Sequence, residues 1–312
     1  MTVVLEDVSL RDGLQGELRL FTLDEKLAIV GQLVEAGFRR LQVGSFVHPD
    51  RLPQMADTDI LVTRVRAAYP LLCCTGLVLN ERGLARALAC GLGHVSLSVS
   101  VSDSHSRRNV GRPATEALEA ICALVSRAVN AGLVVRAGLM CAFGCPDEGS
   151  IPAGVVLAAA EQLAAAGATG VNLADTAGMA GPLQVRALVG RMRAALPDLD
   201  LSLHLHDTRG LGLVNLLAGY EAGVRLFDVA AGGLGGCPFL PGAAGNVAAE
   251  EAVHLFQTMG IDCGIDLALL CRVVRLYENL LARPLPGRIA RVLSGFKQDS
   301  DGKLLPGDIA VP

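Results

Sequence analysis

The chain has 312 residues, 51% of them hydrophobic, a formal net charge of −4, 4% aromatics and no Trp. That length suits a single α/β barrel with a large core, and no apolar run reaches the roughly 20 residues that a membrane span needs. The acidic balance argues against a nucleic-acid partner, and the scarcity of aromatics argues against base stacking.

Nine cysteines, an odd number with no CxxC pair, read as reduced thiols of a cytoplasmic protein. No targeting segment is expected ahead of the first strand. Val3 to Ser9 reads as that strand, and it runs into Leu10-Arg11-Asp12-Gly13-Leu14-Gln15. A helix is predicted from Leu23 to Ala36, capped by Thr22 or Asp24 and closed by Gly37. Leu41 to Gly44 is a second strand, Arg51 to Ala68 mostly helix, Leu71 to Leu79 a third strand and Glu81 to Cys90 a helix. Val95 to Val101 is a fourth strand with Ser96, Ser98 and Ser100 on one face. A polar loop, Ser102 to Pro113, carries Arg107, Arg108 and Asn109, and Ala114 to Ala131 is a long helix.

Strands at Val134 to Cys141, Gly170 to Ala174, Leu201 to His206 and Leu226 to Ala230 follow. They alternate with helices at Pro152 to Ala166, Leu183 to Leu196 and Leu211 to Ala222. About eight strand–helix units with Gly-terminated helices predict a (β/α)8 TIM barrel, with a doubly wound open sheet as the alternative. Residues 1–262 form this barrel in the reading. Residues 263–312, a helix near Ala268 to Leu281 and a Pro- and Gly-rich tail, form an appendage packed on it.

In such barrels chemistry sits at the C-terminal ends of the strands. Those ends carry Arg11, Asp12, Gln42, Ser98, Ser100, Cys141, Asp175, His204 and His206, with Cys237 and Asn246 in the last loop. His204 and His206 are two apart in a strand and so share a face. With Asp12 they make two nitrogens and one hard oxygen, a divalent-metal set with open positions. Each residue also has a plainer reading. The histidines suit a polar core, Asp12 and Asp175 suit turns, and Asn246 suits a helix N-cap. The segment 232–245 holds six glycines but no Gly-Lys-Ser/Thr, so it is no Walker loop. It reads as a mobile lid, and its thiol, Cys237, is a candidate acid/base whose thiolate Arg11 or a dication would favour.

The motifs Arg11-Asp12-Gly13-Leu14-Gln15, Ser45-Phe46-Val47, Pro53-Gln54-Met55, Gly144-Cys145-Pro146, His204-Leu205-His206-Asp207, Gly233-Leu234-Gly235-Gly236-Cys237-Pro238 and Gly245-Asn246-Val247-Ala248 closely resemble 3-hydroxy-3-methylglutaryl-CoA (HMG-CoA) lyase over roughly Val3 to Met259. The Arg-Asp and HxH pairs are shared by the wider group of metal-dependent lyase and Claisen-type synthase barrels. The resemblance implies that Asp12, His204, His206 and Asn246 ligate Mg2+ or Mn2+, and that Arg11 stabilises the thioester enolate. It implies a lid thiol for proton transfer at Cys237, a supporting polar residue at Asp175 and an acyl-CoA contact at Asn109. Ser98 and Ser100 are further candidates for substrate contact. The activity implied is cleavage of a 3-hydroxy-3-methylglutaryl-CoA-like thioester to acetyl-CoA and a keto acid, as in leucine catabolism, and the resemblance allows a homodimer.

The chemistry is consistent. The C3 hydroxyl must lose its proton, which is easier when it sits on a dication. Collapse of the alkoxide breaks C2–C3, a fixed Arg11 cation stabilises the enolate, and Cys237 is the candidate to protonate it. A closed glycine lid would exclude water. One position departs from the family. A glutamate is expected at the end of the second strand, and here it is Gln42, which keeps the hydrogen-bonding shape but cannot transfer a proton. That substitution points to a related substrate, such as citramalyl-CoA or a longer branched glutaryl-CoA, or to impaired turnover of the usual one. Rival readings are a Claisen-type synthase, a two-His-one-carboxylate Fe(II) oxygenase and a metal-binding barrel without turnover.

Overall fold

A computed structural model describes residues 2–237, 240–294, 296–298 and 304–306, with the backbone alone at 237, 240–243, 294, 296–298 and 304–306. Eight parallel strands close into a barrel in sequential order: β1 (Val4–Asp7), β2 (Arg40–Ser45), β3 (Cys73–Val78), β4 (His94–Ser100), β5 (Val134–Met140), β6 (Gly170–Ala174), β7 (Asp200–His204) and β8 (Leu226–Val229). β1 pairs with both β2 and β8, which seals the ring. The open-sheet alternative is thereby excluded. Helices lie between the strands, and none of those described is long and apolar enough to cross a membrane.

The strands are short apolar runs buried on both faces, as parallel strands under a helical coat must be. Local signals start and stop the helices. Thr22 and Glu25 form a reciprocal capping box before Leu23–Glu35, a device worth about 1 kcal/mol. That helix is closed by Gly37, at φ +110°, where a Cβ would stand 2.1 Å from the Gly264 carbonyl oxygen. Helix Leu267–Leu281 buries Leu270, Cys271, Val273, Val274 and Tyr277 in the same apolar cluster as the barrel. After it come a helix at Ile289–Ser294 and two short paired strands, Phe296–Gln298 and Leu304–Pro306.

Four predicted segments differ. The expected polar loop 102–113 contains a helix, Asp103–Val110, because the Ser102 hydroxyl caps its N-terminus and Gly111 ends it at φ +72°. The expected long helix from Arg51 is a short 3-10 turn, Pro53–Met55, followed by Thr58–Ala68. The first strand stops at Asp7 and gives way to a π-helical turn, Ser9–Gly13, in which the amides of Arg11, Asp12 and Gly13 all converge on the Val8 carbonyl. The glycine loop includes a hairpin, β9 (Gly236–Cys237) with β10 (Leu240–Ala244).

Candidate active site

The π-helical turn at the mouth of β1 presents Arg11 and Asp12 inward, a use of π geometry that recurs at functional sites. β7 ends at His204, so His206 lies just beyond the strand, where it bridges to Asn246. The two rings still face each other, with their Nε2 atoms 3.2 Å apart. Asp12 Oδ2 lies 3.7 Å from His204 Nε2 and 4.0 Å from His206 Nε2. Asn246 Nδ2 donates to the same Asp12 oxygen at 2.9 Å and to the Leu234 carbonyl at 2.9 Å. Asn246 is therefore not the N-cap of the helix after it, a place taken by Ala248.

Electrostatics put Asp12 and His206 in ligating form. Burial pushes the Asp12 carboxyl up, but the Arg11 guanidinium, His204, His206 and the Asn246 hydrogen bond together hold it well below the usual carboxylate range. Burial, with His204 adding to it, pushes His206 down to about 4, so its ring is neutral near pH 7. An ionised carboxylate and a neutral imidazole are the forms a divalent cation binds. Asp12, His204 and His206 offer one ligand atom each, all within 4.8 Å of one another. Two imidazole nitrogens facing at 3.2 Å call for a proton or a cation between them. Asn246 Oδ1 is buried and has no hydrogen-bond partner among the described residues. The donor set fits a divalent metal, and nothing in it selects the ion.

This cluster forms the floor of a cavity of about 1090 Å3, whose walls include Arg11, Asp12, Gln42, Ser98, Asn109, His204 and His206. Gln42 is 1% exposed. Its Oε1 accepts from Arg11 Nε, while Arg11 Nη1 donates to Asp12 Oδ1. The guanidinium is thus clamped between Gln42 of β2 and Asp12. Gly235, Gly236 and Ala244 of the glycine segment also line the cavity. Asn109 is exposed on helix Asp103–Val110 and also lines the cavity.

Two expected site residues point elsewhere. Ser100 is occupied in its own turn, where its hydroxyl accepts from Ser102 N at 3.1 Å and donates to Ser102 O at 3.2 Å. Asp175 is the turn former of its plainer reading. Its carboxylate accepts from Met179 N at 2.8 Å and Ala180 N at 3.1 Å, and burial pushes it up to about 6. Neither is among the residues that line the cavity, and each side chain's hydrogen bonds go to the backbone of its own turn. The Cys237 side chain lies outside the described residues.

A further layer behind His204 carried no motif in the sequence. Asp228 on β8 holds His204 Nδ1 at 3.2 Å and binds Arg136 and Asn172 as well. A charged residue inside a buried parallel strand, as in Leu226-Phe227-Asp228-Val229, was the available signal. His105, Thr176, Arg51 and Arg283 also line the cavity and carried no motif of their own.

The comparisons with known proteins converge. The sequence profile named HMGL-like matches residues 2–276. The (R)-citramalyl-CoA lyase of Chloroflexus aurantiacus is 39% identical, covering 93% of this chain and 94% of that protein. A hydroxymethylglutaryl-CoA lyase of Bacillus subtilis is 34% identical over 93% of this chain and 97% of its own. Among solved structures, the Bacillus subtilis HMG-CoA lyase superposes with a TM-score of 0.90 at 33% identity, covering 94% of this chain and 98% of the other. An Acinetobacter baumannii HMG-CoA lyase in complex with coenzyme A and 3-methylmalate gives a TM-score of 0.87 at 36% identity, covering 93% of this chain and 94% of the other.

Proposed function

The chain belongs to the HMGL-like family and is a lyase that cleaves a carbon–carbon bond, and on that premise we propose that it cuts a branched 3-hydroxyacyl-CoA into acetyl-CoA and a keto acid. HMG-CoA, giving acetoacetate in a step of leucine catabolism, is the primary candidate substrate. The convergence of Asp12, His204 and His206 below a cavity walled by Arg11 carries this reading.

Mg2+ or Mn2+ held by Asp12, His204, His206 and Asn246 would lower the pKa of the hydroxyl presented to it. The remaining work falls to the chain. Arg11, kept in place by Gln42 and Asp12, sets a fixed cation beside the thioester oxygen as the C2–C3 bond breaks and the enolate forms. Cys237 is assigned both ends of the proton transfer, since it sits in the hairpin that ends over the cavity: as thiolate it takes the C3 hydroxyl proton, and as thiol it returns that proton to the enolate carbon. The cavity is large enough for an acyl chain and pantetheine arm, and Arg51 and Arg283 among its lining residues suit phosphate.

A second substrate is favoured by two observations. The relative at 39% identity is a citramalyl-CoA lyase, and a non-ionisable Gln42 stands against Arg11 where the family resemblance implies a glutamate. Citramalyl-CoA would be split to acetyl-CoA and pyruvate. Acetyl-CoA release measured over HMG-CoA, citramalyl-CoA and longer branched 3-hydroxyglutaryl-CoA thioesters ranks the candidates. Release from none of them would refute the proposal.

A further inference from the structure

Beneath the metal ligands the barrel interior holds charged side chains that the bond-breaking chemistry does not touch. Arg40 Nε on β2 lies 3.0 Å from Glu6 Oε2 on β1, and Thr75 on β3 donates to Glu6 Oε1 at 2.6 Å. Arg136 on β5 reaches across the barrel, 3.2 Å from Glu6 Oε2 and 3.0 Å from Asp228 Oδ1. Asp228 Oδ2 accepts from Asn172 Nδ2 at 3.0 Å and lies 3.2 Å from His204 Nδ1. Two guanidinium groups and two carboxylates balance. A barrel of this kind normally fills its interior with aliphatic layers, and buried ion pairs add little stability over apolar packing. The arrangement calls for another purpose.

The hydrogen-bond inventory supplies one. Arg136 can only donate, and Asn172 presents its NH2 group to Asp228. An ionised Asp228 can only accept. A neutral His204 must therefore carry its proton on Nδ1, which leaves the lone pair of Nε2 turned toward His206 Nε2 and Asp12. A carboxylate behind a metal-binding imidazole sets the tautomer and the ring orientation in just this sense.

We propose that Asp228 is a positioning residue of the metal site, which holds His204 in the Nδ1–H tautomer while Arg136 fixes its other carboxylate oxygen. The proposal rests on reading Asp12, His204 and His206 as a divalent-metal site. Asp228→Asn is the discriminating change because it is nearly isosteric. The amide oxygen must face Arg136, so the NH2 group faces His204 Nδ1. The ring proton then moves to Nε2 and covers the lone pair that a cation needs.

The test uses the full chain with Mn2+ as probe. In metal-free, histidine-labelled wild type, 15N spectra should report His204 protonated at Nδ1, and in Asp228→Asn at Nε2. Mn2+ binding followed by electron paramagnetic resonance should weaken about 10–100-fold in the variant with an unchanged far-ultraviolet circular dichroism spectrum. A folded Asp228→Asn protein that binds Mn2+ within twofold of wild type would overturn the proposal. So would an Nε2–H tautomer of His204 in wild type, a measurement that decides even where the variant does not fold. Absence of Mn2+ binding by wild type would sink the metal reading instead, and the tautomer would still judge Asp228.

Discussion

Replacing Gln42 by Glu tests the position where the resemblance to HMG-CoA lyase implies a glutamate and this chain has a glutamine. Gln42 is 1% exposed and its Oε1 accepts from Arg11 Nε, so a glutamate fits the same volume and keeps the same acceptor. The new carboxylate–guanidinium contact is charge-assisted and roughly twice as strong as the amide contact, which keeps Arg11 where it is. What changes is the ability to take and return a proton beside the cavity floor. That ability is typically worth about 10²–10⁴-fold in rate, or about 3–5 kcal/mol of barrier. In a coupled assay of acetyl-CoA release, kcat/KM of Gln42→Glu on HMG-CoA should rise by about 10²-fold or more. The ratio of HMG-CoA to citramalyl-CoA turnover should rise with it, at an unchanged melting temperature. A wild type already fully active on HMG-CoA, with no gain from glutamate, would refute the reasoning.

Three further outcomes are expected. Asp12→Asn keeps the shape that Asn246 binds but removes the ligand charge, so Mn2+ titration should show a loss larger than the roughly 10–100-fold typical of an outer partner. Gly235→Ala imposes a Cβ at φ +110° and 2.7 Å from Asn246 Nδ2. It should cost about 1–3 kcal/mol of stability, read by urea unfolding, and should weaken Mn2+ binding, because Asn246 is the side chain displaced. Glu250 is fully buried, accepts from Gly232 N at 2.9 Å, and is pushed by burial up to about 7. A raised folded-state pKa means that its stabilising proton is fully bound below the unfolded value of 4.5 and is lost as the pH rises through about 7. Glu250→Gln should therefore melt above wild type at pH 8 and converge with it near pH 5. A pH-independent difference between the two would contradict the assignment.

The barrel was legible because its signals are local and repeated. Short apolar runs, amphipathic helices and glycine stops recur along the chain, and each strand end could be read for polar residues. Asp12, His204 and His206 were found for that reason, and the structure gathers them although His206 lies past the end of β7. The π-helical turn that aims Arg11 and Asp12 was not legible, since it depends on three amides sharing the Val8 carbonyl and not on any residue preference. The helix over Asp103–Val110 was hidden by its polar composition, although Ser102 is a strong cap. Asp175 and Ser100 could not be placed from sequence because a polar residue at a strand end serves a turn as readily as a site, and only its hydrogen bonds show which contacts it makes. The Glu6–Arg136–Asp228 layer joins strands far apart in sequence, which no local pattern reports.

Acetyl-CoA release from the acyl-CoA panel, followed before and after chelation of the purified protein, probes most directly whether a dication seated on one carboxylate and two imidazoles drives the cleavage. Release that stops on chelation and returns with Mg2+ or Mn2+ is the predicted result. Undiminished release in excess chelator would contradict it.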